Sequence, residues 1–289
     1  MPKSRSASPI STAKEILQGL QIRDASEIRI KDIAMERGAF VRERALEGSE
    51  GRLIRKGNLG IITVNSRIPE EGRKRFAIAH ELGHFELHSA YQLVFCTEQD
   101  MLFWNESKVE EFQANEFAAE ILMPEEIFRK YLKAGQPNMD KVKKIAEEFR
   151  TTLTATALRY VQLSKEPCAM VISEKGVIGW YKKSPDFNFH VKVGGKLSFD
   201  TYAFDFYDGV ELPGRPQKVP ASSWLAGEID DESEVFEHSI ALPRYNAVLS
   251  LLWIHEEVCR KDRRDYEEDE APEFDLTNPF TPDGKRWRW

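Results

Sequence analysis

The run His80-Glu81-Leu82-Gly83-His84 constrains this chain more than any other feature. On a helix, residues four apart share a face, so two imidazoles spaced this way reach one metal ion at about 2.1 Å. Glu81 is turned about 100° from its neighbour on the helix, which leaves it free to hold a water on the metal. The local residues favour a helix from Pro69 to about His88. Pro69, Glu70 and Glu71 suit its first turn and its dipole, and only Gly83 is a weak position. This is the H-E-x-x-H arrangement of zinc peptidases, with Glu81 as the base. The competing reading is two surface histidines on an amphipathic helix.

A catalytic metal site needs a third protein ligand. His88 continues the row, but eight residues of helix span about 12 Å, too far for one metal to bond both ends. His88 is therefore expected to pack beside the ligands or support them. Glu110 and Glu111 lie on the next predicted helix, from about Ser107 to Met123. Glu111 shares a face with Asn115, Ala118 and Leu122; Glu110 shares one with Ala114, Phe117 and Ile121. Both faces are partly apolar, so periodicity leaves the two open. Tyr91, just past the active helix, is a candidate to stabilise an oxyanion, against the commoner reading of an ordinary buried tyrosine. An extended substrate would pair with a strand within residues 61–65. Two histidines and a carboxylate are also the ligand set of non-haem iron oxygenases. The carboxylate of Glu81 and the one-turn histidine spacing favour hydrolysis.

A length of 289 residues suits two domains, and 41% hydrophobic with 31% charged residues is a globular balance. The net charge of -7 argues against a dominant nucleic-acid binder, without excluding a local basic patch. Cys96, Cys168 and Cys259 are far apart and odd in number, which reads as free thiols in a reducing cytoplasm. Met1 to Ser11 lacks the apolar core of a secretory signal, and Ala247 to Ile254 is too short to span a bilayer. The expected location is cytoplasmic, with no membrane partner.

Helical spacing covers residues 12–22 and Ile28 to Arg37, and two strands flank a turn at Gly57-Asn58-Leu59-Gly60. Residues 140–163 read as two short helices joined at Arg150-Thr151-Thr152. From Cys168 onward β-branched and aromatic residues dominate. Phe199 to Tyr207 reads as sheet core and edge, with a ligand-sensing pocket as the sharper hypothesis. His190, His238 and His255 are isolated and read as histidines without metal. The segment from about Asp262 reads as a tail ending in Trp287-Arg288-Trp289.

Two blocks carry a family resemblance. Phe76-Ala77-Ile78-Ala79-His80-Glu81-Leu82-Gly83-His84, followed by Leu87-His88, resembles the active helix of the ImmA/IrrE-type metallopeptidases. Glu111-Phe112-Gln113-Ala114-Asn115-Glu116-Phe117-Ala118-Ala119, then Leu122-Met123-Pro124, resembles their second ligand helix. The resemblance covers roughly residues 12–165. It implies Glu111 as third ligand beside His80 and His84, and zinc, or else manganese, as the metal. It also implies a protein substrate, typically a helix-turn-helix repressor.

The expected architecture is α+β. A mainly helical zincin-like peptidase domain with a small sheet takes residues 1–138, and a helix-turn-helix-like segment takes 139–165. A strand-rich α/β C-terminal domain takes 166–262, and a charged, proline-containing tail takes 263–289. Asn115 is expected to support the ligands alongside His88. The alternative function is a regulator that binds without cutting. Its presumptive recognition helix, Thr154 to Leu163, carries only Arg159 as a base, which argues against direct nucleic-acid binding.

Overall fold

The computed structural model describes residues 8–89, 93–96, 109–132, 135–227, 229–230 and 232–255. Tyr91, the start of the second ligand helix at Ser107, Cys259 and the tail 263–289 lie outside these residues. The protein is α+β, and its described part divides into two compact units. One takes the residues up to Tyr131 together with Ala146–Thr152; the other takes Leu132–Ile145 and the residues from Leu153 onward. Among the described residues no helix is long and apolar enough to cross a membrane.

The first unit opens with α1 (Pro9–Gly19) and α2 (Ile30–Glu36). A four-stranded sheet follows, with β1 (Ala39–Arg44), β2 (Gly51–Lys56), β3 (Leu59–Asn65) and β4 (Leu93–Cys96) in the order β1-β3-β2-β4. The β1–β3 pair is parallel; the others are antiparallel. Period-two alternation gives the sheet two different faces. Leu53, Ile62 and Val64 are buried on the face where the central helix α3 (Glu71–Leu87) packs. Phe40, Ile61, Ile54 and Leu93 form an exposed row across all four strands, each paired with the next.

The topology corrects one expectation. Residues 61–65 belong to β3, which is hydrogen-bonded on one side to β1 and on the other to β2. Both its backbone edges are used, so it has none left for a substrate strand. In the sheet as described, β1 and β4 are the edges.

Helix α4 (Val109–Leu122) packs along α3. Gly83 is what allows the close approach: a Cβ there would stand 3.1 Å from Ala114 Cα and 3.2 Å from its carbonyl oxygen. The weak helix position in the sequence is thus the contact that brings the second ligand helix in. Short α5 (Glu125–Phe128) follows, then α6 (Met139–Phe149) and α7 (Leu153–Leu163). Between the last two, Arg150 adopts a left-handed conformation (φ 53°) where a helix–turn–helix commonly has glycine. Its guanidinium donates to the carbonyl of Ile28 at 2.9 Å, which offsets the steric cost of about 1–2 kcal/mol.

In the second unit β5 (Cys168–Glu174), β6 (Val177–Lys183), β8 (Gln217–Pro220), β10 (Glu234–Leu242) and β11 (Ala247–Trp253) form an antiparallel sheet in the order β6-β5-β11-β10-β8. Strands β7 (His190–Val191) and β9 (Leu225–Ala226) pair separately. Phe187, Val191, Trp224, Val248 and Leu252 belong to one buried cluster. The Phe199–Tyr207 segment is not sheet: Tyr202–Asp205 is a helical turn, α8. Its first N–H groups, those of Tyr202 and Ala203, donate to the buried Glu237 carboxylate at 3.2 and 2.6 Å. Trp224 Nε1–H and the Ser239 hydroxyl donate to the same carboxylate, at 2.9 and 2.6 Å. A side chain 34 residues distant therefore decides that turn, and no local pattern reveals it.

Candidate metal centre

Helix α3 carries His80, Glu81 and His84, all buried. Its first turn holds Glu71, as the acidic opening leads one to expect. The crossing of α3 and α4 then brings in Glu111. Glu111 Oε2 lies 3.1 Å from His80 Nε2 and 3.4 Å from His84 Nε2, and the two Nε2 atoms are 3.1 Å apart. Three donors bonded to one tetrahedral zinc at 2.0–2.1 Å would be separated by about 3.3–3.4 Å. The observed triangle fits that geometry. Two ring nitrogens and a carboxylate oxygen this close are a group that could hold a metal ion.

The tautomers follow from the hydrogen-bond network. His80 Nδ1–H donates to Asn115 Oδ1 at 2.8 Å, leaving the Nε2 lone pair facing the centre. His84 Nδ1 lies 3.0 Å from His88 Nδ1, and His88 Nε2 lies 3.0 Å from Gln113 Oε1. A consistent relay has His84 Nδ1–H donating to His88, and His88 Nε2–H donating to Gln113. His88 is thus placed behind His84, a candidate ligand, and the relay needs its neutral form. Burial holds its pKa below the usual histidine value, partly opposed by the bond to Gln113. Such outer partners orient ligating imidazoles and raise their basicity.

Glu81 is fully buried and rests against β2. A Cβ on Gly51 would fall 2.8 Å from Glu81 Cγ and closer still to Oε1. Gly51 therefore leaves the room that the carboxylate occupies. Nothing in the local pattern marks this glycine, because the contact is made across the sheet-to-helix packing.

A fourth donor joins the group. Cys96, at the end of β4, offers an Sγ within 4.8 Å of the ligand atoms of His80, His84 and Glu111. Read from the sequence it is one of three scattered thiols; the available signal was a soft donor lying between the two ligand blocks. Glu110 is not part of this donor group, and the oxyanion candidate Tyr91 lies outside the described residues. Of the remaining histidines, His238 accepts from the Met139 N–H at 3.0 Å and His190 Nδ1 lies 3.1 Å from the Tyr181 hydroxyl.

A family model described as IrrE N-terminal-like domain, Peptidase M78, matches residues 34–160, the span holding all four donors. That segment is similar to the IrrE-type peptidase domain, and the match covers less than half of the chain. The IrrE-like domain thus contains a peptidase-type scaffold whose candidate metal donors converge. No curated protein sequence matches the chain. Among solved structures, a Mycobacterium tuberculosis transcriptional regulator is similar, with a TM-score of 0.53 and 16% identity. The match covers 85% of this chain and 75% of that one, and at this identity it speaks for the fold alone.

Proposed function

We propose that this chain is a zincin-like, metal-dependent endopeptidase that cleaves a specific regulatory protein of the helix-turn-helix repressor class. The observation that carries the reading is the 3.1–3.4 Å triangle of His80 Nε2, His84 Nε2 and Glu111 Oε2, with Glu81 on the same helix. His80, His84 and Glu111 would hold the ion, with Asn115 and His88 fixing the imidazoles. Zinc fits this donor set, and manganese accepts the same ligands less well because imidazole favours later metals. When bound, the ion supplies a Lewis acid that polarises the scissile carbonyl and acidifies water. Glu81 takes the water proton at its carboxylate and returns it to the leaving amine. Its burial excludes competing solvent, and the space that Gly51 leaves on β2 accommodates the carboxylate.

The repressor substrate follows from the family resemblance of the two ligand blocks. Co-expression with a helix-turn-helix repressor from the same genome tests the reading, comparing the wild type with Glu81→Ala. The wild type should cleave and the variant should not, with both retaining metal. Equal cleavage by the two would remove Glu81 from its role. Metal uptake without cleavage by either would favour a binding regulator.

A further inference from the structure

We infer that Cys96 is a fourth protein ligand, and that the chain as folded holds its metal closed, with the thiolate in the position that a hydrolytic water would need. The inference rests on the peptidase reading for its consequence, but not for the coordination itself.

A buried thiol is ordinarily a small apolar side chain among apolar neighbours. Cys96 is fully buried, yet its Sγ shares a cluster with two imidazole nitrogens and a carboxylate oxygen, each within 4.8 Å. In a tetrahedral zinc site a sulfur at about 2.3 Å and a nitrogen at about 2.0–2.1 Å stand roughly 3.6 Å apart, so the sulfur would draw in by up to about 1 Å on binding the ion. Sulfur is also the donor that completes the closed sites of structural zinc, whereas an open catalytic site has three protein ligands. With Cys96 counted, this centre has a closed complement: two nitrogens, one oxygen and one sulfur.

The backbone explains how the thiol comes to be there. Cys96 is paired with Gly51, and the Cys96 carbonyl accepts the Glu50 N–H at 3.0 Å. Gly51 is the residue against which Glu81 rests. The same rung of sheet thus meets the base at its Gly51 end and carries the sulfur at its Cys96 end, on one face. Strand β4 is four residues long, lies at the sheet edge, and among the described strands pairs only with β2. Lifting its end would withdraw the sulfur while leaving His80, His84 and Glu111, which sit on helices α3 and α4, undisturbed. The open form is then a minor state of the resting protein. Minor states populated at about 0.1–10% imply that deleting the thiol raises resting activity about tenfold or more.

The test uses the full chain loaded with cobalt(II) in place of zinc. Wild type should show the near-ultraviolet sulfur-to-cobalt charge-transfer band, and Cys96→Ser and Cys96→Ala should lose it. X-ray absorption on the zinc form should place one sulfur at about 2.3 Å with three lighter donors. Both wild-type measurements stand even if the variants fold poorly. A wild-type spectrum without the band, or a band that survives Cys96→Ser, overturns the proposal. Cleavage of a co-expressed helix-turn-helix repressor by the zinc forms separates the two readings. Band loss with no cleavage by any form keeps the ligand and sinks the peptidase; wild-type cleavage with no band keeps the peptidase and sinks the ligand.

Discussion

Adding one methyl group at Gly51 should disable the base without removing the metal. In Gly51→Ala the new Cβ would lie 2.8 Å from Glu81 Cγ and 3.0 Å from Cδ, and closer to Oε1. Carbon–carbon contacts are optimal near 3.5–4.0 Å, so either β2 or the Glu81 side chain must move by several tenths of an ångström or more. Overpacking of this kind costs about 1–3 kcal/mol, and each kcal/mol lowers the melting temperature of a unit this size by about 2–4 °C. Moving a general base out of reach removes a factor of about 10²–10⁴ in rate. The assay is turnover of the repressor, beside metal content by atomic absorption and a thermal melt. We expect turnover to fall at least a hundredfold with metal stoichiometry unchanged. Wild-type turnover in a folded Gly51→Ala protein would refute the argument, because it would show that Glu81 does not need the space Gly51 leaves.

Replacing Glu111 by Gln should abolish metal binding while Glu110→Gln leaves it intact, read by metal content after dialysis. Asn115→Ala and His88→Ala should retain the metal but weaken its affinity about 10–100-fold in competition with a chelator, since each releases an imidazole from its partner. In the second unit, burial lowers the His238 pKa, and its neutral Nδ1 accepts the first N–H of α6. A depressed histidine pKa means that folding favours the neutral ring. The associated stability is complete above the unfolded value of about 6.5 and is lost as pH falls from there towards the folded value. Melts at pH 7.5 and 5.5 should therefore differ more for wild type than for His238→Gln.

The helical motif at His80–His84 and the acid-bearing block from Glu111 to Asn115 were legible in the chain because helical periodicity is local. It needs only the spacing of residues a turn apart. The two strands around Gly57–Gly60 and the two short helices after Met139 were legible for the same reason. Strands β1 and β4 were not, since Ala39–Arg44 and Leu93–Cys96 are short and become strands by pairing with β3 and β2. Periodicity left Glu110 and Glu111 open; the approach of α4 to α3 across Gly83 and Ala114 turns the Glu111 carboxylate to the imidazoles. The placing of Cys96 beside them, the space that Gly51 leaves for Glu81, and the capping of α8 by Glu237 are likewise tertiary. Each is a contact between residues far apart in the chain, and such contacts leave no periodic trace in sequence. The chemistry was carried by residue types a turn apart; its geometry was decided only when helices and sheet packed.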